Sequence, residues 1–229
     1  MGDVLSHGAR GPTTAEANVV LRLQRQATAH FDAAAHSPLL KRLWDAAVVP
    51  ALADGFGAEY GYDAGAEFAL VSPLWKAVGF QNADPGSDVR GGGELCLRHL
   101  VAFAEGRGPE AVAEIRRQMP RTLANFPWAA AGINVSRMLA EGFALVDAGT
   151  GARGRPLRRT RKDWHFCADE PRFHALFAVA FALLARTFAE DGASYLGFNQ
   201  TLGRTRATLF EALARGPQDE AALRALLEL

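Results

Sequence analysis

Residues 75–93 read WKAVGFQNADPGSDVRGGG, and their turn chemistry sets out a short helix, a tight turn and the start of another helix. Upstream, Ser72-Pro73 opens the first helix, with serine as the cap and proline at the first helical position, where its missing N–H costs nothing. Gly79 stops that helix and Phe80 anchors the exit in the core. Asp84-Pro85-Gly86 then forces a turn, because proline pre-sets φ and glycine tolerates positive values. Ser87 or Asp88 is placed to cap the next helix. That puts Arg90 in a first turn, where a cation opposes the helix dipole, beside Gly91, Gly92 and Gly93, which helix propensity disfavours. Two readings follow. In one, a partner approaches the glycine backbone while the Arg90 guanidinium reaches out to it. In the other, Arg90 pairs with a nearby carboxylate and the glycines pack against another helix. Locally unfavourable choices mark functional sites without naming the function.

Outward from this stretch the apolar spacing is helical and no alternating strand is evident, so the chain reads as all-α, a single multi-helix domain. Thr13-Thr14-Ala15-Glu16 has the form of a capping box opening a helix to about Phe31, with Val20, Leu23, Ala27 and Phe31 on one face. This segment, residues 1–34, is expected to pack on a domain spanning 35–229. A second helix is expected from Ser37-Pro38, with Leu39, Leu40, Leu43, Trp44 and Ala47 as its stripe, until Pro50 bends or ends it. Residues 54–66 read as a loop. After the glycines, Leu95, Leu97, Leu100, Val101 and Phe103 form a core face up to a break at Gly106-Arg107-Gly108. Further helices are expected over Pro109–Met119, Pro127–Val146, about 171–190, Phe198–Ala214 and a short terminal stretch around Leu223–Leu227.

With 229 residues and 49% hydrophobic content, the chain can bury one sizeable core. A formal net charge of +0 gives no global attraction to nucleic acid, and no nucleic-acid partner is expected; any anionic contact has to come from a local patch. Two well-separated cysteines, Cys96 and Cys167, fit a reducing, cytoplasmic setting. The sequons at Asn134 and Asn199 then stay idle within helices. The apolar run Phe173–Leu184 falls short of the ~20 residues of a membrane span and reads as a buried helix. Met1–Ser6 fits the pattern for N-terminal myristoylation, but an acidic Asp3 after the glycine counts against it, and an unmodified start is the better reading.

RGRPLRRTRK, residues 153–162, gathers Arg153, Arg155, Arg158, Arg159, Arg161 and Lys162 on a loop broken by Gly154 and Pro156. Such a loop serves as a solvated connection or as a contact for anionic lipid or an acidic surface. Asp163, His165 and Cys167 alternate, as three metal ligands on a strand would. Without a fourth ligand, and with Trp164 and Phe166 between them, an aromatic-rich loop entering the next helix is the better reading, and no metal is expected. His99 and His174 fall on helical faces as packed or surface histidines, with no nucleophile in an ordered triad. The glycines at 91–93 lack the strand and the lysine of a phosphate cradle, so no nucleotide cofactor is expected.

The pattern W-x3-GFQ-x3-P-x-[ST]-D-x-R-x-x-G, carried by Trp75, Gly79, Phe80, Gln81, Pro85, Ser87, Asp88, Arg90 and Gly93, resembles the signature of the ELMO (engulfment and cell motility) domain family. Phe126-Pro127-Trp128-Ala129 followed by Gly132-Ile133-Asn134-Val135-Ser136 is similar to that family's second block, and Phe198-Asn199 with the run to Leu209 to its C-terminal helix. The resemblance covers about residues 35–215. Val89, Asn82 and Cys96 depart from the usual pattern, which bears on packing and partner choice. The chain resembles the small, stand-alone members, and the resemblance implies a GTPase-activating protein for Arf-family GTPases, with GTP and Mg held by the partner and no cofactor of its own. It implies catalysis by Arg90, Asp88 orienting the turn, Gln81 and Ser87 buttressing it, and Gly91, Gly92 and Gly93 admitting the GTPase. Trp75, Phe80 and Asn134 are then scaffold. It also implies a part in membrane trafficking, from a cytoplasmic position with peripheral contact on internal membranes. The alternative is a non-catalytic ELMO-type adaptor in a small-GTPase signalling complex.

Overall fold

The computed structural model describes residues 8–53, 65–118 and 127–229. Its helices are α1 (Thr14–Thr28), α2 (Ala33–Leu43), α3 (Val49–Ala53), α4 (Leu74–Ala77), α5 (Pro85–Val89), α6 (Gly93–Gln118), α7 (Trp128–Gly142), α8 (Glu170–Glu190), α9 (Phe198–Ala214) and α10 (Glu220–Leu227). Among the described residues there is no strand, and two isolated bridges, Arg10 to Arg161 and Val146 to Arg153, are the β-type contacts. The all-α expectation holds. Met1–Ser6 and nearly all of the 54–66 loop lie outside the described residues.

The core is built around α6 and α8. α6 packs on α1, α2, α7 and α8, and α8 on α6, α7, α9 and α10. By length and mean hydropathy α8 could cross a bilayer. Here it is a core helix, with Phe173, Leu176, Phe177, Phe181 and Leu184 buried. The stacked rings of Phe177 and Phe181 meet Phe103 of α6 edge-on. α1 belongs to the same core: Thr13 and Glu16 form the expected capping box, and Val20 and Leu23 are fully buried.

Helix boundaries differ from the sequence reading at α2, at Pro50, in α6 and at α7, which ends at Gly142 rather than Val146. α2 starts at Ala33, because Asp32 accepts the Ala35 N–H at 2.7 Å and supplies the cap, leaving Pro38 inside the helix. Pro50 neither bends nor ends the helix alone: a π-turn at Trp44–Val48 shifts the ladder so that the Val49 N–H reaches the Trp44 carbonyl, and the chain continues into α3. α6 runs unbroken through Gly106, Gly108 and Pro109. Extending a helix already fixed by packing is cheaper than nucleating one, so a low-propensity stretch can be carried along.

The segment that positions the candidate site is locked by aromatic rings and backbone. Trp75 is fully buried, edge-on to Trp44 at 5.2 Å and Phe80 at 5.4 Å, and donates its Nε1–H to the Ala69 carbonyl at 3.0 Å. Ser72 Oγ accepts the Leu74 N–H at the head of α4. Gly79 has φ +89° and abuts the backbone of Pro127 and Trp128, so a β-carbon there has no room. The payoff is at α7, whose cap residue Pro127 has no capping side chain. Its Ala129 and Ala130 N–H groups donate instead to the carbonyls of Val78 (3.1 Å) and Gly79 (3.2 Å).

Candidate functional site: the Arg90 turn

α5 is capped by Asp84, whose Oδ1 accepts the Gly86 N–H at 2.9 Å, with Pro85 in the first turn. The cap is therefore one turn earlier than Ser87 or Asp88. That moves Arg90 from the start of a helix to the end of one, as the C-cap residue of α5, where a cation is favoured. Val89 and Pro85 are buried and hold α5 down. The Arg90 side chain is exposed and has no hydrogen bond or ion pair with any described residue. The glycine packing of the second reading is found at Gly92 and Gly93, but the presented arginine of the first matches this placement. With His30, Phe31, Asp84 and Gly86 it lines an open cavity of about 360 Å³.

Asp88 does not touch the guanidinium. Its Oδ2 accepts the Gln81 N–H at 2.6 Å, and its Oδ1 accepts from Asn82 Nδ2 at 2.8 Å and lies 3.2 Å from Ser87 Oγ. Ser87 Oγ also donates to the Asp84 carbonyl at 2.7 Å. Asp88 thus ties the Gln81–Asn82 segment to α5, Ser87 ties the head of α5 to Asp84, and together they fix the frame on which Arg90 stands.

The three glycines do different things. Gly91 is exposed, and the nearest neighbour a β-carbon would meet is Arg137 at 3.8 Å. Gly92 is buried against Cys96, and at Gly93, φ +61°, an added β-carbon would lie only 2.6 Å from the Gln26 and Ala27 carbonyl oxygens of α1. Gly91 alone among them is open to a partner; Gly92 and Gly93 are where α5 and α6 close on the core. The turn needs glycine at 93 for the fold.

Two neighbourhoods escaped the sequence reading. Gln81 lines a second cavity of about 180 Å³, apart from that of Arg90, with Pro127, Ala130, Ala131, Asn134, Phe198 and Asn199. Asn134 donates to the Ala130 carbonyl at 2.8 Å, as a helix-bound amide. The convergence of Gln81, Asn134 and Asn199 was carried by the three motif blocks, but only the fold brings them together. Beside Gly91, Glu141 of α7 accepts from Arg137 and from Arg206 of α9, each at 3.0 Å. One carboxylate between two guanidiniums, 47% and 44% exposed, leaves this flank net positive.

In the basic loop, Arg153, Arg155, Arg158, Arg159 and Lys162 are exposed. Arg161 is not part of that surface. It makes two 2.7 Å bonds to the Asp163 carboxylate and one to the Gly142 carbonyl, and stacks 4.0 Å over the Phe143 ring. Asp163 is thereby engaged, and Trp164–Cys167 form a 3₁₀ turn rather than a strand. Burial pushes the Cys96 thiol up to about 12 and holds His99 well below its ordinary value. His99 lies within the core, with Nδ1 2.9 Å from Ser136 Oγ.

The described geometry has relatives. The family model described as ELMO/CED-12 matches residues 19–202, which takes in most of α1 and everything from Trp75 to Asn199. ELMO domain-containing protein C of Dictyostelium discoideum is 28% identical over 171 residues, 71% of this chain and 26% of that protein. ELMO domain-containing protein 2 of Homo sapiens is 39% identical over 70 residues, 31% of this chain and 24% of that protein. An ankyrin repeat and ELMO domain-containing protein D of Dictyostelium discoideum is 38% identical over 68 residues, 29% of this chain and 5% of that protein. The matches thus span about a quarter or less of each of these relatives. With the signature residues running from α4 through α5 to the start of α6 and a family match across most of its length, the chain belongs to the ELMO/CED-12 family.

Proposed function

We propose that this protein acts on a small GTPase, and more narrowly that it is a GTPase-activating protein for the Arf family, supplying Arg90 in trans. The observation that carries the reading is an exposed guanidinium with no partner among the described residues, on a turn braced from beneath by Asp88. Phosphoryl transfer asks little covalent help of a protein, but charge builds on the phosphate oxygens, and an arginine supplied from outside is worth ~10³–10⁵ in rate. Arginine suits this role because its planar fork makes directed bonds and stays charged. A guanidinium already bound to a carboxylate would have to give up that pair first; Arg90 does not. The open backbone at Gly91 lets the partner come close, and the partner would bring its own GTP and Mg. The positive flank of Arg137 and Arg206 suits an anionic nucleotide site.

The test is GTP hydrolysis by a panel of Arf-family GTPases with and without the protein. Stimulation by the parent, lost by ~10³-fold or more in Arg90→Lys with an unchanged melting curve, supports the assignment. No stimulation across the panel, or full stimulation by the variant, sinks it. The amide-lined cleft at Gln81, Asn134 and Asn199 favours a second reading, an adaptor that binds without catalysing. That reading expects stable complex formation, no stimulation by the parent and indifference to Arg90→Lys.

A further inference from the structure

The whole chain is charge-balanced, yet residues 153–162 hold six cations and no carboxylate. Asp163 neutralises one of them, Arg161. The side chains of Arg153, Arg155, Arg158, Arg159 and Lys162 are exposed and have no hydrogen bond or ion pair with any described residue. Other surface arginines are mostly paired: Arg42 with Glu105, Arg172 with Asp169, Arg215 with Glu211. In the hairpin that leads into the loop, the Asp147 carboxylate is taken up by the Gly149 and Thr150 N–H groups and the Thr150 hydroxyl.

The loop is held rigidly for something so charged. Gly154 N–H donates to the Leu145 carbonyl at 3.0 Å, and Gln24 Nε2 reaches both the Leu145 and Gly154 carbonyls at 3.0 Å. Pro156 is buried, Pro156–Arg158 form a 3₁₀ turn, and Arg161 pins the far end to Gly142 and Phe143. The turn presents Leu157, 43% exposed, between Arg155 on one side and Arg158 and Arg159 on the other. A solvated connection needs neither the anchoring nor the leucine.

We propose that the Arg155–Arg159 turn docks on an anionic lipid bilayer, with Leu157 entering the interface and Arg155, Arg158 and Arg159 at the headgroup phosphates. The surface that fits is negative outside and apolar just beneath. Nucleic acid offers the phosphates without the apolar layer. Arginine stems can lie along the acyl boundary while their heads stay at the phosphates. This proposal stands apart from the Arg90 reading: it concerns where the protein sits, whatever it does there.

Cosedimentation of the full chain with phosphatidylcholine vesicles, with and without phosphatidylserine as roughly one lipid in three, tests it. Binding should need phosphatidylserine and fall steeply as salt rises past ~0.15 M. Arg158→Ala with Arg159→Ala should weaken it about 25-fold, each cation near such a surface being worth about fivefold. Leu157→Ser should weaken it about fivefold with the salt dependence unchanged. Arg215→Ala, at an exposed arginine capping the C-terminus of α9, serves as the control and should bind as the parent does. Equal binding to neutral vesicles, no binding at low salt, or indifference to the paired substitution overturns the proposal. Retention on a polyglutamate resin without vesicle binding would overturn it in favour of an acidic protein surface. GTPase stimulation measured in solution should be the same for parent and loop variants, so failure here and failure of the Arg90 reading are told apart.

Discussion

The carboxylate of Asp88 accepts the Gln81 N–H at 2.6 Å, joining the exit from α4 to the five-residue helix whose last position supports Arg90. The acid of the signature acts on the arginine through the backbone, not by contact.

Asp88→Asn should therefore loosen the turn. An amide can accept with one atom only, so either Gln81 N–H or Asn82 Nδ2 loses its acceptor. We expect a loss of about 1 kcal/mol in urea unfolding and a fall of about tenfold or more in any GTPase stimulation, since small misplacements of a catalytic group are costly. Unchanged stimulation in a correctly folded variant would remove the bracing role.

The glycines should separate under alanine substitution. Gly93→Ala places a β-carbon against the Gln26 and Ala27 carbonyls at a positive φ, and should cost at least about 2 kcal/mol in chemical denaturation. Gly91→Ala meets only the Arg137 guanidinium at an ordinary 3.8 Å and should stay within about 0.5 kcal/mol. Equal costs would mean that α1 does not press on Gly93 as described.

Arg161→Ala removes a guanidinium that serves Asp163, Gly142 and the Phe143 ring at once, and strands a carboxylate that is 3% exposed. A loss of about 3 kcal/mol is expected. Arg158→Ala in the same loop should change stability by less than about 0.5 kcal/mol. Thermal melts of the two variants make the comparison.

Acid should erode stability in two stages. Buried His99 is neutral in the fold, its value depressed first by burial and then by neighbouring His174. Its contribution is present above the ordinary value of 6.5 and declines as pH falls below it. Glu16, bonded to Arg10 and capping α1, is lowered from 4.5 to about 2. Its contribution is full above 4.5 and is lost between there and about 2. Arg10 is partly solvent-exposed, so we expect about 1 kcal/mol from this pair rather than the full shift. Unfolding free energy followed against pH should show both limbs, and Glu16→Gln should flatten the lower one.

Much of this was legible in the residues, for identifiable reasons. The Thr13–Glu16 capping box, the stop at Gly79 and the turn at Asp84-Pro85-Gly86 are local backbone chemistry, and local chemistry is written in order along the chain. What a residue faces across the fold is not. Nothing within RGRPLRRTRK separates Arg161 from its neighbours; the ring of Phe143 and the Gly142 carbonyl, brought in from α7, do so. Gly92 and Gly93 looked like part of an open surface until α1 and Cys96 arrived against them. The cap of α5 was misplaced because Asp84, Ser87 and Asp88 all suit the role, and Pro85 decides among them. The cleft of Gln81, Asn134 and Asn199 joins three separate blocks that only helix packing brings together.

The two hydrogen bonds that cap α7, from Ala129 and Ala130 to Val78 and Gly79, also bear on when the site comes into being. They join segments far apart in the chain, so the exit from α4 cannot take its final course until a long loop has closed, an entropic hurdle met late in folding. The hydrogen bonds within the Arg90 turn are local, but its placement on the core comes with global assembly, and chains that stall before that closure would carry the whole signature without its final placement. Amide hydrogen exchange at Ala129 and Ala130 would report that closure, because these protons stay protected only while the two segments remain joined.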